Sequence, residues 1–200
     1  MKHFWDERYS AHDWSYGQLP NAYFKEILDS LASSGSLLLP GEGERRNAIY
    51  AAQQGWQVDA LDYSEVAQQK ALTWAARLGL SLNYQVQELP VFTPPKPQYD
   101  LIGLFFLHLL PEHRATLHQQ IPILLRKGGK LVLEAFNPRQ LGNHSGGPKR
   151  EDMLFTQAML SHDFRDLHIL QLEERTVTLN EGIFHQGEAQ VIRLLAEKKH

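Results

Sequence analysis

The most constraining feature of the sequence is an alternation of short apolar runs with segments of helical periodicity, from Leu37 to Phe136. The runs have the length of strands, and the segments between them place apolar residues three and four apart. Strand–helix alternation with short connections favours a parallel sheet covered by helices on both faces. The predicted strands are Leu37–Leu39, Val58–Asp62, Leu82–Val86, Leu101–Phe106 and Leu131–Phe136.

The two ends of the chain depart from this alternation. Leu167–Leu179 and Ala189–Ala196 are long extended runs on either side of a polar segment, which predicts an antiparallel hairpin at the edge of the sheet. Before the first strand, Asn21 can cap a short amphipathic helix. We therefore expect an α/β fold in a single domain, with cover helices in residues 1–34 and the core in residues 35–200.

Composition narrows the function classes. The 200 residues contain 20 Lys and Arg against 23 Asp and Glu, a net charge of −3, which argues against non-specific nucleic-acid binding. No apolar run approaches the roughly 20 residues that span a bilayer, and the first residues do not resemble a signal peptide. We expect a cytoplasmic protein that binds neither membranes nor nucleic acid, as a monomer or homodimer.

Metal and thiol chemistry also have little support in the sequence. Cysteine is absent, which excludes disulfides, thiolate nucleophiles and thiolate metal sites. The ten histidines include no HExxH pair, and His108, His113 and His118 are spaced by five residues, so they fall on different faces of a helix. No bound metal is expected.

The turn after the first predicted strand contains two glycines, Gly41 and Gly43, in the run Pro40–Arg46. Glycines at this spacing allow a tight turn and a close approach of the backbone to a ligand. The dinucleotide motif GxGxxG would place a third glycine at Arg46, and the two glutamates of the turn would repel phosphate. The turn therefore suits a cationic ligand better than a pyrophosphate, although an ordinary tight turn explains it equally well.

The second strand ends in a carboxylate, Asp62. In nucleotide-binding sheets an acid at this position accepts hydrogen bonds from the ribose hydroxyls. The alternative is that Asp62 caps the helix that follows, although Ser64 is better placed to do so. The spacing suits NAD and S-adenosylmethionine (SAM) equally.

These residues carry a resemblance to a known family. Leu37–Ala52, LLLPGEGERRNAIYAA, resembles motif I of the class I SAM-dependent methyltransferases, in the form found in small bacterial members related to tellurite-resistance methyltransferases and, more distantly, to thiopurine methyltransferase. The chain departs from the motif at Leu39, where the family usually has an acid, and at Arg45, where it has a third glycine. Glu42 or Glu44 can supply the missing carboxylate. Further segments resemble the family in the same order: Trp5–Tyr9, Tyr99–Phe106, Lys127–Gly129, Gly146–Pro148 and Glu181–Gly182.

The resemblance implies a Rossmann-like three-layer sandwich, with a mostly parallel sheet and an antiparallel C-terminal edge hairpin. It implies SAM as the cofactor and methyl transfer to a small-molecule nucleophile, which is a thiol, a chalcogen oxyanion or a heterocycle. The residues that it assigns to the cofactor are Gly41, Gly43, Asp62, Tyr63, Glu88, Leu89, Phe105 and Phe106. Core packing for the two phenylalanines and an exposed loop position for Glu88 remain open alternatives.

Residues expected around the methyl acceptor are harder to assign. His108 follows the fourth predicted strand and is the candidate catalytic residue, as an acid–base group; a structural histidine bonded to a backbone carbonyl is the alternative. The candidate substrate-binding residues are Trp5, Tyr9, Tyr16, Arg46, His144 and His185. The three aromatic residues of this set can form a lid over the cofactor or simply pack against the sheet.

Two other function classes share these features. An NAD(P)-dependent reductase also uses a GxG turn and an acid at the second strand, but the acidic turn and Arg46 argue against it. A non-catalytic nucleoside-binding relative of the methyltransferases is the third hypothesis, and the departures at Leu39 and Arg45 are its support.

Overall fold

The computed structural model describes residues 2–89 and 91–199 of the chain. Within these residues, seven strands form one sheet that is flanked by helices. The strands are β1 (Ser36–Pro40), β2 (Gln57–Asp62), β3 (Asn83–Val86), β4 (Tyr99–Phe105), β5 (Leu125–Phe136), β6 (Leu167–Asn180) and β7 (Gln186–Lys198). The helices are α1 (Lys2–Ser10), α2 (Ala22–Ser30), α3 (Arg46–Gln53), α4 (Glu65–Arg77), α5 (Pro111–Leu124) and α6 (Gln157–Asp163).

The strand order is β3-β2-β1-β4-β5-β7-β6. Strands β1 to β5 pair in parallel, whereas β7 is antiparallel to both β5 and β6. The predicted mostly parallel sheet with an antiparallel C-terminal edge hairpin is therefore confirmed. The strand order reverses between β1 and β4, and ligands of open α/β sheets bind at the carboxyl ends of the strands next to such a point.

The sheet divides the core into two layers. Successive residues of a strand point to opposite faces, so Leu37 and Leu39 pack in a cluster with α2, α3 and α4, whereas Leu38 packs in a cluster with α5 and α6. All three leucines are almost completely buried, and burial of each such side chain contributes roughly 1.5–3 kcal/mol. A strand covered on both faces reads as a continuous apolar run, which is why the sequence reveals β1.

Two predicted helix caps are present. The Asn21 side chain accepts a hydrogen bond from the Phe24 amide (2.9 Å) at the start of α2, and Ser64 Oγ accepts one from the Ala67 amide (3.1 Å) at the start of α4. In each case the side chain satisfies a backbone donor that has no partner within the helix. Helix α2 is amphipathic as predicted, because it buries Phe24, Ile27 and Leu28 against the sheet.

One local prediction is wrong. The fifth strand is predicted to begin at Leu131, but β5 begins at Leu125 and includes Lys127–Lys130. The pairing with β4 shifts from Tyr99–Leu125 to Leu101–Lys130, so the intervening residues bulge out of the sheet. Gly128 has a φ of 74° at this bulge, a conformation that glycine adopts without steric cost. Among the described residues, no helix has the length and apolar character that crossing a bilayer requires.

Candidate ligand-binding site

A cavity of about 350 Å³ opens at the carboxyl ends of β1, β2 and β4, next to the reversal of strand order. This volume lies within the range of small-molecule sites, roughly 300–1,000 Å³. The walls come from α1 and the segment after it, the turn after β1, the ends of β2 and β4, the end of β5, loop 145–148 and the turn between β6 and β7.

The turn after β1 requires both of its glycines. Gly41 and Gly43 have φ angles of 70° and 66°, in the region that side chains disfavour. A Cβ atom at Gly41 would lie 2.7 Å from Leu107 Cδ1, and one at Gly43 would lie 2.8 Å from Tyr9 Oη. The absence of side chains here leaves the cavity open to the backbone of the turn.

The Asp62 carboxylate connects this turn to the end of β2. One oxygen accepts a hydrogen bond from the Gly43 amide and the other accepts one from the Ser64 amide, each at 3.0 Å. Burial raises the pKa of Asp62 to about 6 despite these hydrogen bonds. A carboxylate has about four acceptor positions, so Asp62 can support the turn and the start of α4 while still accepting hydrogen bonds from a ligand in the cavity.

The two glutamates of the turn differ in their partners. Glu44 is bound on both oxygens, by Lys70 Nζ and by the Ser15 amide, each at 2.7 Å. Glu42 accepts a hydrogen bond from the Ala48 amide at 2.7 Å, lines the cavity, and has its pKa raised to about 7 by burial. Glu44 therefore connects the N-terminal cover (residues 2–34) to α4. Glu42 is the carboxylate of the turn that remains available to a cationic ligand.

Arg45 occupies a glycine-like conformation, with φ at 139°. Its guanidinium carbon lies 4.1 Å from the ring centroid of Trp14 and 4.4 Å from that of Trp74. Cation–π contacts of this kind contribute about 0.5–2 kcal/mol each. The side chain thus connects the N-terminal cover to α4 at a position where the family resemblance predicts a glycine.

A buried polar cluster lies beside the cavity. Arg46 Nη1 is 2.7 Å from Glu181 Oε2, and both side chains are almost fully buried. Glu181 also accepts a hydrogen bond from Asn21 Nδ2 (3.3 Å) and lies 3.4 Å from His185 Nδ1. Burial favours the neutral form of Glu181, yet Arg46 and His185 together hold its pKa below the ordinary value. Arg46 and His185 both line the cavity.

His108 lines the cavity with both ring nitrogens engaged by the backbone. Nδ1 lies 2.8 Å from the Met153 carbonyl oxygen, and Nε2 accepts a hydrogen bond from the Phe136 amide at 3.2 Å. Burial lowers the pKa of His108 to about 4. This arrangement matches the structural alternative, because neither nitrogen is available to exchange a proton with a substrate.

The N-terminal aromatic residues pack together over the cavity. The Trp5 ring stacks on Tyr9 at 5.6 Å and lies 6.4 Å from Tyr16, and Arg8 Nη1 donates to Tyr16 Oη at 2.7 Å. All three aromatic residues line the cavity. They form an aromatic cover along one side of the cavity.

Other predicted site residues divide between the cavity and the surface. Tyr63 and Leu89 line the cavity, and the Tyr63 hydroxyl donates to the Leu89 carbonyl. Phe105 and Phe106 also line it. The structure does not bring Glu88 and His144 to the cavity: both side chains are exposed and outside its lining.

Sequence reasoning missed several members of the site. Phe136 and Met153 line the cavity, yet each reads in the sequence as an ordinary apolar residue. Glu181 was recognised only as part of a family-like segment, with no role. The one available signal was the position of Glu181 next to Gly182 in a predicted hairpin turn. This signal does not indicate that Glu181 pairs with Arg46 of α3.

No protein-family model matches the sequence, and no curated protein matches it. Solved structures do match the fold. TehB from Haemophilus influenzae is 17% identical with a TM-score of 0.73, and the match covers 90% of this chain and 62% of TehB. A second similar structure comes from work on the conversion of a disulfide bond into a thioacetal group during echinomycin biosynthesis. It is 15% identical with a TM-score of 0.80, and the match covers 100% of this chain and 92% of that one.

A third similar structure is magnesium protoporphyrin IX methyltransferase (ChlM) from Synechocystis PCC 6803 with bound SAH, which is 16% identical with a TM-score of 0.64. The match covers 88% of this chain and 81% of ChlM. The chain thus has the Rossmann-like fold of the SAM-dependent methyltransferases, as the resemblance of its motifs implied.

Proposed function

We propose that the protein is a SAM-dependent methyltransferase that acts on a small molecule. The observation that carries this proposal is the position of Asp62 and the Gly41–Gly43 turn on one cavity at the reversal of strand order. The methyltransferase fold supports it, as does SAH bound to the similar structure ChlM.

The residues present fit the sulfonium and ammonium cations, the ribose hydroxyls and the adenine ring of SAM. Asp62 has acceptor positions for the ribose hydroxyls. Tyr63 and Leu89 offer a flat, mostly apolar wall for adenine. Glu42 supplies a carboxylate in place of the acid that the family usually has at the position of Leu39. Glu181 balances the charge of Arg46. The glycine turn leaves room that a Cβ atom would fill.

When bound, SAM supplies a methyl group that its sulfonium has already activated. The protein's own tasks are then to hold the acceptor in line and to exclude water. The cover formed by Trp5, Tyr9 and Tyr16 serves the second task. We assign the part of the cavity wall formed by Phe106, Phe136 and Met153 to the methyl acceptor.

The acceptor classes that we propose are a thiol, a chalcogen oxyanion or a heterocycle. The cavity volume of about 350 Å³ suits small molecules. A panel of 2-mercaptoethanol, selenite, tellurite and imidazole tests these classes, with SAH formation as the readout.

Thermal unfolding in the presence of SAM, SAH or NADH tests the proposal, because a ligand that binds only the native state raises the midpoint. We expect SAM and SAH to raise it and NADH to leave it unchanged. Stabilisation by NADH alone would favour the reductase. Stabilisation by SAM without methyl transfer to any member of the panel would favour a non-catalytic nucleoside-binding protein.

A further inference from the structure

The two histidines of the cavity differ in what their ring nitrogens bind. Both nitrogens of His108 are hydrogen-bonded to the backbone. His185 has Nδ1 at 3.4 Å from Glu181 Oε2, and its Nε2 has no hydrogen-bond partner in residues 2–89 and 91–199. Since His185 lines the cavity, Nε2 is the histidine nitrogen there that is free to meet a ligand.

The surroundings of Nδ1 determine which tautomer His185 adopts. Glu181 is ionised, because Arg46 lies 2.7 Å from its Oε2 and keeps the pKa of Glu181 low. A carboxylate beside Nδ1 favours the tautomer in which Nδ1 carries the proton and donates a hydrogen bond to the carboxylate. In that tautomer Nε2 is the nitrogen that can accept a proton. Burial lowers the pKa of His185 itself, so its ring is neutral at pH 7.

Aromatic rings hold the imidazole in place. The His185 ring lies 4.7 Å from Tyr16, 4.6 Å from Phe106 and 5.4 Å from Phe136, in edge-to-face contacts. Loop 145–148 packs against one edge of the ring, where a Cβ atom at Gly146 would lie 2.7 Å from His185 Cδ2 and 3.2 Å from Nε2. These contacts fix the orientation of the imidazole ring.

We propose that His185 is the general base of the reaction, that Glu181 is its positioning residue, and that the acceptor is a protic nucleophile that must lose a proton. This inference rests on the proposed function. The acceptor's X–H proton moves to His185 Nε2, and the X–H electron pair becomes available to the nucleophilic atom X. That atom forms the bond to the methyl carbon as the carbon–sulfur pair leaves with the cofactor's sulfur. The resulting imidazolium is paired with Glu181.

Besides burial, which lowers the pKa of His185, three charged groups act on it. Glu181 favours the protonated ring, whereas the cations of Arg46 and Arg8 disfavour it. The neutral groups that face it are the Tyr16 hydroxyl, which accepts from Arg8, and His108, which is uncharged at pH 7. Glu181 therefore supplies the charge that stabilises the protonated ring.

The first test measures the base directly. ¹⁵N NMR of histidine-labelled protein, with His185 assigned by the His185→Gln variant, reports its tautomer and pKa with and without SAH. We expect a neutral ring protonated on Nδ1 and titrating below pH 6.5. Glu181→Gln should lower the pKa further and mix the tautomers. A ring protonated on Nε2, or charged at pH 7, would overturn the proposal without using an acceptor.

The second test uses turnover of 2-mercaptoethanol, whose thiol must lose a proton, with selenite and imidazole as acceptors that need no base because each already has a free lone pair. General-base catalysis contributes at least about 100-fold, so His185→Gln should lower kcat for 2-mercaptoethanol by about that factor and change KM little. The matched control His168→Gln removes an exposed histidine of β6. A kcat for His185→Gln within threefold of wild type, or turnover of selenite alone, would contradict a base role.

Calorimetric titration with SAH separates this inference from the proposed function. We expect His185→Gln to bind SAH within about threefold of wild type, because the residue acts on the acceptor. If the wild-type protein does not bind SAH, the proposed function is refuted. Intact SAH binding with an unchanged pH dependence of kcat in His185→Gln would refute only the base.

Discussion

The Gly43 amide donates a hydrogen bond of 3.0 Å to the Asp62 carboxylate, so the end of β2 supports the turn after β1. The second Asp62 oxygen accepts from Ser64, where α4 begins. One buried carboxylate therefore organises the glycine turn and the adjacent helix around the cavity. Because burial raises the pKa of Asp62 to about 6, a ligand that interacts more strongly with the ionised carboxylate shifts Asp62 toward that form.

Cofactor binding should release protons near pH 6.5. Glu42 and Asp62, with pKa values raised to about 7 and about 6 by burial, are partly protonated in the free protein. A cationic ligand favours their ionised forms, so affinity should rise between pH 5.5 and 8. Calorimetry of SAM binding at pH 6.5 in phosphate and in Bis-Tris, which differ in ionisation enthalpy, measures the released protons. Identical enthalpies in the two buffers would contradict this linkage, and Glu42→Gln should reduce the difference.

Arg45 should respond to two substitutions in different ways. Arg45→Gly removes the stack between Trp14 and Trp74 but relieves the backbone at φ 139°. Arg45→Ala loses the stack and keeps the strain, which costs on the order of 1–3 kcal/mol at such positions. Urea unfolding should therefore find Arg45→Ala less stable than Arg45→Gly by about 1 kcal/mol. An alanine variant that equals or exceeds the glycine variant would show that the strain is absent.

His108→Phe tests the structural interpretation of that histidine. The phenyl ring retains the contacts with Phe136 and Phe155 but leaves the Met153 carbonyl and the Phe136 amide without partners. We expect a loss of about 2–4 kcal/mol in unfolding free energy at pH 7.5. Unchanged stability with reduced turnover would instead restore the catalytic interpretation.

The pH dependence of this loss has a defined sign. The pKa of His108 is lowered to about 4 in the folded protein by burial, whereas it is about 6.5 in an unfolded chain. The unfolded state therefore binds a proton that the native state does not, and the contribution of the neutral ring, complete above pH 6.5, is lost as pH falls toward 4. The difference between wild type and His108→Phe should shrink between pH 7.5 and pH 5, as urea unfolding can measure.

Contact between the N-terminal cover and the β6–β7 turn depends on Gly182. A Cβ atom there would lie 2.5 Å from the Ser15 carbonyl oxygen, at a φ of 73°. Gly187 in the same hairpin has a φ of 99° but open space around it, so Gly187→Ala is a control for the backbone conformation alone. Gly182→Ala should raise the rate of proteolysis in residues 11–20 and weaken SAH binding more than Gly187→Ala does. Equal effects of the two variants would show that the contact does not hold the cover closed.

Features that depend on local pattern were predictable from the sequence. β1 and β2 were visible as short apolar runs, and the Asn21 cap was visible before an amphipathic helix. Asp62 was found because its position at the end of a strand is itself a signal. The motif resemblance then placed these elements in the correct fold.

Features that depend on distant partners were not predictable. The stack of Arg45 between Trp14 and Trp74, and the ion pair of Arg46 with Glu181, join segments that only the folded chain brings together. Glu88 was assigned to the cofactor by the family resemblance, and His144 to the substrate because its segment was predicted to line the same cavity, but both side chains are exposed. Loop paths follow from tertiary packing, which short-range periodicity does not encode.

Calorimetric titration with SAH of the wild-type protein, Asp62→Asn and Asp59→Asn tests the central claim most directly. Asp59 is a buried carboxylate of the same strand that binds Tyr99 and Asn83 outside the cavity, so it controls for the loss of a buried charge. We predict saturable binding by wild type and Asp59→Asn, and weakening by about 1–3 kcal/mol in Asp62→Asn. No saturable heat from the wild-type protein, or equal affinity in all three proteins, would contradict the account.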